Sequence, residues 1–354
     1  MQDANSQFNH KTGLFSVIKK DFFSIPVSIR IISLSVFLFI LGRGLGGDTF
    51  FSIYIKSIVH NVFRVAIIAA LMPLVRMIFS ISIGELDDHS NIRSIIFLGK
   101  AMYFMTSILF FLSGILHSPV LLVITVIFNA LAGATLMTSY QSLIRQYGKK
   151  ENGSTVFGLY FSCFNFAYVI GALLAAILVQ YITLPYLYLF IGLFALISFF
   201  TDTKLPHLSK KKIKAFLGKE SFLHQYFHEI CSFIPIKKAF ASLKTANKKI
   251  YQALGFEFLF NVLNYIGFIF IPIVAIKDNL SLSQIAVIFA IMRLPYVIDF
   301  LTGEFADKYS KRRFILIVLL FLSFLFALLG FKDSFGSILI ISFGIALGLS
   351  MIRP

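Results

Sequence analysis

The sequence predicts an all-α polytopic membrane protein of about ten transmembrane helices, arranged as two bundles of which the second is incomplete. Three observations predict it. The mean hydropathy is +0.87, and 58% apolar against 14% charged residues is too hydrophobic for an ordinary soluble globule. Apolar runs of roughly 20 residues, the length that crosses a ~30 Å hydrocarbon core, recur along the chain. They lack the alternation of a barrel, so the backbone must satisfy its own hydrogen bonds as helices. Finally, a polar decapeptide that begins at Gly84 returns in altered form at Gly303, an offset of 219 residues, as expected of two homologous halves.

Taken in order, residues 1–30 form an N-terminal segment with Lys11, Lys19, Lys20 and Arg30, and no small-residue cleavage site follows it, so a cleaved signal peptide is not expected. Spans at 31–56, 62–83, 94–116, 119–143, 155–179 and 182–200 make a six-helix bundle over 31–200. A linker at 201–250 carries eleven lysines, and within it 222–233 has the pattern of an amphipathic surface helix. Spans at 252–276, 283–302, 314–331 and 336–352 make a four-helix bundle over 251–354.

Charge orients these spans. The net charge of +16 would suit nucleic acid in a soluble protein, but here it sorts by side of the membrane. With the N-terminus in the cytoplasm, the inner segments carry 24 Lys and Arg, Lys100 counted among them, and the outer segments four. The positive-inside rule is met by a wide margin. Cys163 lies in an apolar run and Cys231 in the basic linker, a placement that opposes a disulfide framework or a zinc site.

The repeated decapeptide reads Gly84, Glu85, Leu86, Asp87, Asp88, His89, Ser90, Asn91, Ile92, Arg93 in its first copy. In the second it reads Gly303, Glu304, Phe305, Ala306, Asp307, Lys308, Tyr309, Ser310, Lys311, Arg312, with Arg313 following. Each copy is read as a short polar hinge between two spans. The pattern G-x-L/F-x-D-x-x-x-x-R between the second and third spans of a half resembles the signature loop of the major facilitator superfamily of transporters. The resemblance covers the chain from span one onward and implies a central cavity that opens alternately to each side. It implies that Gly84, Asp88 and Arg93, with Gly303, Asp307, Arg312 and Arg313, steady one of the two states. Asp307 would meet the start of span five near Thr155, whereas the span that Asp88 would meet lies beyond Pro354. Relative to a full pair of repeats, about 65 residues are expected to be missing after Pro354.

Ionisable groups inside spans cost on the order of 3 kcal/mol at mid-helix, so they normally face a cavity or a partner. Span one holds Arg43 and Asp48 beside Gly42, Gly44, Gly46 and Gly47, glycines that permit bending or close approach. In span seven Glu257, Asn261 and Asn264 share one helical face with Tyr265 and form the first candidate for substrate or proton contact. An alternative puts Glu257 at the cytoplasmic mouth, paired with a linker lysine. Arg293 and Asp299 in span eight and Arg76 in span two are further candidates, Asp299 lying near enough to the following loop to be an ion-pair partner there. The resemblance extends to two weakened motifs. Asn129 stands where proton-coupled drug exporters place an Arg four residues before a Gly, here Gly133. The run from Gly171 to Ala176 replaces a Gly-Pro-containing antiporter motif.

The run Gly42, Gly44, Gly47 also fits G-x-G-x-x-G, but without a preceding strand it is not read as a dinucleotide site. His224, His228 and Glu229 have helical spacing but no third clear ligand, and no metal is assigned. No cofactor is expected, and no nucleophile elbow or phosphate loop argues for an enzyme. The resulting expectation is a secondary active transporter of a small solute in a bacterial inner membrane, monomeric, bound to lipid and not to nucleic acid, with a proton as candidate coupling ion. The rival is a non-transporting remnant or membrane interaction protein.

Overall fold

The computed structural model describes residues 26–147, 153–205, 222–232, 234–245, 247–297, 311–331 and 334–352. Span one is α1 (Val27–Gly42), a π-helical turn over Arg43–Gly47, and α2 (Phe51–Val59). There follow α3 (Val62–His89), α4 (Ile92–Ile115), α5 (Pro119–Tyr147), α6 (Gly153–Leu178) and α7 (Leu184–Asp202). The linker contributes α8 (Phe222–Cys231) and α9 (Ile234–Lys244). The second half contains α10 (Lys248–Lys277), α11 (Leu282–Val297), α12 (Lys311–Leu329) and α13 (Phe335–Ile352). Among the described residues seven helices are long and apolar enough to cross a membrane, and three more apolar helices are shorter.

Small residues decide how closely these helices approach. Between helices in lipid there is little hydrophobic drive, so packing depends on shape. Span one lies against α6 and α7. A Cβ on Gly46 would run into the Leu187 carbonyl of α7, and one on Gly171 of α6 would sit 2.6 Å from the Leu41 carbonyl. The rest of the first half is made by α4 on α5 and α7, and by α3 on α5. In the second half α13 packs on both α11 and α12. The halves meet mainly along α6 and α11, with α2 also touching α10. Ser162 donates to the Val297 carbonyl at 3.0 Å and Gln180 Nε2 reaches Ser283 Oγ at 3.3 Å, so this seam has polar fastenings at two levels.

The first signature segment differs from the expected loop. α3 continues through Gly84, Asp87 and Asp88 to His89, and only Ser90 and Asn91 separate it from α4. Two local partners explain the difference. Asp87 is buried against α5, where the hydroxyls of Ser139 and Ser142 donate to its carboxylate at 2.7 and 2.9 Å, so the helix keeps its acidic residue satisfied without unwinding. Asn91 then caps α4 by accepting from the Arg93 N–H at 3.2 Å.

Lys100, counted with the inner segments in the sequence, is instead buried inside the first bundle. Its ammonium pairs with Asp202 of α7 and donates to Ser35 Oγ of α1 at 2.7 Å, and Tyr140 of α5 donates to Asp202 at 3.1 Å. One ion pair thereby gathers four helices. The expected amphipathic helix is present as α8, and it docks on the first bundle. Tyr226 is 1% exposed, its hydroxyl 2.6 Å from Thr135 Oγ1 of α5, and from α9 Lys238 meets Glu85 of α3 at 2.7 Å.

Candidate functional site, a cavity between the two halves

The cavity has a volume of about 410 Å³ and is lined from both halves. The first half supplies span one, α3, α5 and α6, and the second supplies α10 and α11. Its size is in the range of small-molecule sites.

The π-helical turn creates the first polar cluster. Adding a residue to one turn places Asp48 N–H on the Arg43 carbonyl at 3.0 Å, and the extra residue rotates the following side chains relative to α1. Arg43 and Asp48 consequently meet across the turn at 2.7 Å. Tyr168 of α6 donates to the same carboxylate, and the Arg43 guanidinium lies 5.6 Å from the Tyr103 ring centroid. Both Arg43 and Asp48 line the cavity, as expected from the glycine-rich run.

From the second half, Asn261, Asn264 and Tyr265 line the cavity on one face of α10. Glu257 belongs to the same stripe but is exposed and outside the lining. Its carbonyl and its carboxylate each accept from Asn261 Nδ2 at 2.8 Å, so it orients Asn261 from one turn away. Arg293 of α11 completes the opposite wall, its guanidinium 4.1 Å from the Phe268 centroid and 4.8 Å from that of Tyr168. Stacking of this kind lets a cation lie in an apolar wall.

A glycine on α5 admits a third arginine. Gly133 lines the cavity, and the Arg76 guanidinium packs directly on it. Asn129, one turn earlier, is buried, points its amide at Met72 Sδ at 3.4 Å and does not line the cavity. The cation beside Gly133 therefore comes from α3.

With this geometry in view, the comparisons with known proteins are decisive. The family model of the Major Facilitator Superfamily matches residues 32–354. The chain belongs to that superfamily. The quinolone resistance protein NorA of Staphylococcus aureus (strain MRSA252) is 22% identical over 332 residues, covering 92% of this chain and 79% of that protein. Crystal structures of the nucleoside transporter NupG and of a mutant of it align with a TM-score of 0.66 at 15% and 14% identity, covering 92% of this chain and 80% of theirs. The chain is therefore an integral membrane protein with the superfamily's transporter fold.

The residues of the expected signature segments are placed unevenly. Gly84 lies in α3, where a Cβ would meet nothing within 4 Å. Asp88 is exposed and only 3.8 Å from the equally exposed Arg145. Arg93 donates to the Thr203 carbonyl at 2.5 Å and lies 5.2 Å from the Phe97 centroid. Gly303, Asp307 and Asp299 fall outside the described residues, and Arg312 and Arg313 are described only as part of the first turn of α12. Residues that the sequence reading passed over are Asp87, Tyr168, Asp202 and Tyr226. For Asp202 a signal existed: it follows the apolar run at 182–200 while Lys100 lies within the one at 94–116, and two opposite charges in such positions invite pairing.

Proposed function

We propose that the chain is a secondary active transporter that carries a small solute through this cavity by alternating access. One observation carries the reading: Arg43 and Asp48 from the first half face the same space as Asn264 and Arg293 from the second. A solute bound there touches both halves, so relative rocking of the halves changes its access without moving the site. The relatives divide between quinolone resistance and nucleoside transport, which supports a transporter and leaves the solute to the cavity's own chemistry.

The domain limits in this reading are those of the sequence, a first bundle over 31–200, a linker over 201–250 and a second bundle over 251–354. Gly84, Asp88 and Arg93, with Gly303, Asp307, Arg312 and Arg313, act as gating segments. The Asp88 and Arg145 pair supports this, because an exposed pair at 3.8 Å is weak and breaks at little cost. The bias of Lys and Arg supports a cytoplasmic N-terminus, and the Lys-, Ile- and Phe-rich composition together with a bacterial relative supports a bacterial inner membrane. The protein acts as a monomer in the lipid bilayer and catalyses no covalent chemistry. Asp48 is the carboxylate among the described lining residues, which makes it the candidate proton carrier. Glu257 acts through Asn261.

The test is uptake into proteoliposomes holding the purified full chain, with and without a proton gradient. Accumulation that the gradient drives, and that Asp48→Asn uncouples while counterflow persists, supports the reading. Solute movement with no saturation, or none under any gradient, overturns it.

A further inference from the structure

We propose that the cavity selects an anionic solute, a small aromatic molecule bearing a carboxylate or another oxyanion, and that Arg76 is its anchor. The inference rests on the cavity being the solute site. Arg76 lies mid-way along α3 and lines the cavity. Its Nε and Nη2 are shielded from solvent and have no hydrogen-bond partner among the described residues. A guanidinium stays charged at any accessible pH. The neighbouring cations differ from it. Arg43 is held by Asp48, and Arg293 is stacked on Phe268 and Tyr168. Among the described lining residues Asp48 is the carboxylate set against three arginines, so the cavity carries surplus positive charge.

A second unused donor lies behind the same wall, Tyr103 being fully buried and outside the cavity lining. The Tyr103 hydroxyl is also buried without a partner among the described residues. From an ideal Cβ position on Gly133 it lies at 3.0 Å, and Arg76 Nη2 and Nε lie at 2.8 and 3.0 Å. The fork of two N–H groups on Arg76 matches the acceptors of an oxyanion, which supplies the counter-charge this depth of the membrane otherwise lacks, and the Tyr103 hydroxyl behind it supports the guanidinium's position. Phe161, Phe164 and Phe268 line the same cavity and give the solute's ring an apolar wall.

The probe is 1-naphthoate, compared with 1-naphthylmethylamine, a cation of similar shape. The chain contains no tryptophan, so naphthalene emission on binding to the purified full chain is read without indole background. Naphthoate is expected to bind saturably and the amine not to displace it. Arg76→Gln weakens naphthoate binding about tenfold or more, and Arg76→Lys, which keeps the charge but not the fork, falls between Arg76→Gln and the parent. Tyr103→Phe weakens it by a smaller factor. The proposal is overturned if the amine binds as tightly as naphthoate, or if folded Arg76→Gln binds like the parent. Should Arg76→Gln not fold, the comparison of the two probes on the parent and on Arg76→Lys still decides. Binding here needs no transport, so Arg76-dependent binding without solute movement would remove the transport reading alone. Movement of cations without naphthoate binding would remove this one alone.

Discussion

The ammonium of Lys100 and the carboxylate of Asp202 form an ion pair in which the side chains are 1% and 0% exposed. Its position matters as much as its burial. Ser35 of α1 and Tyr140 of α5 complete the hydrogen bonding, so the pair fixes four helices of the first bundle in one arrangement. Under the proposed alternating access each bundle rocks as a unit and needs such internal fastening, because the motion is of the halves and not of the helices within them.

Removing one partner leaves a buried charge, which costs about 3–5 kcal/mol, whereas replacing both by apolar residues is often neutral. Lys100→Met is therefore expected to lower the thermal unfolding midpoint of the detergent-purified protein sharply, and Lys100→Met with Asp202→Leu to recover most of the loss. If the double substitution were as unstable as the single, the pair would not be the cause.

The adjacent carboxylates at the end of α3 should behave oppositely. Asp87 accepts from two serine hydroxyls in a buried position, while Asp88 and Arg145 are 61% and 70% exposed. Asp87→Ala orphans Ser139 and Ser142 and should cost about 2–4 kcal/mol. Asp88→Ala should cost less than about 1 kcal/mol. Thermal unfolding separates them, and equal losses would contradict the assignment. The gating role proposed for Asp88 predicts in addition that Asp88→Ala slows uptake despite its intact stability.

Much of the fold was legible because membrane spans announce themselves by length and composition, and the offset between Gly84 and Gly303 announced the two halves. The cavity was legible in part for the same reason: Arg43, Asp48, Asn261, Asn264 and Arg293 are polar groups that an apolar run does not tolerate without a purpose, and all five line it. What escaped depends on facing. Asp87 and Asp88 are neighbours in sequence, and only the packing of α3 on α5 decides which is buried. Glu257 and Asn261 lie on one face, yet the cavity ends between them. Tyr226 lies in the stretch read only as an amphipathic surface helix, and nothing local marks it because its partner Thr135 lies 91 residues away.

Gly46 and Gly84 show why a glycine must be judged by its surroundings. A Cβ on Gly46 meets the Leu187 carbonyl, and backbone cannot yield as a side chain can. Gly46→Ala should thus loosen span one from α7 and lower stability by about 1–3 kcal/mol. Around Gly84 nothing lies within 4 Å, so Gly84→Ala should raise stability by up to about 1 kcal/mol through helix propensity. A fall in transport on Gly84→Ala, with unfolding temperature unchanged or higher, would show that the glycine serves the other state of the cycle. Loss of stability in Gly84→Ala would contradict the open surroundings described here.

The docking of α8 on the first bundle predicts a response to alkaline pH. Burial raises the Tyr226 hydroxyl from 10.0 to about 12, partly offset by its hydrogen bond with Thr135. Because the docked form favours the neutral phenol, its contribution to docking is complete below about pH 10. It declines above that, as the undocked phenol ionises first, until the docked one titrates near 12. Limited proteolysis of the linker should accordingly be slow and constant between pH 7 and about 9 and accelerate toward pH 11. Tyr226→Phe removes the ionisable group and the bond to Thr135. It should cleave somewhat faster at neutral pH, by the ~1 kcal/mol of one lost hydrogen bond, and lose the alkaline acceleration. An alkaline response that persists unchanged in Tyr226→Phe would place its origin elsewhere, the ion pair of Lys238 with Glu85 being the next contact to examine, since it too holds the linker to α3.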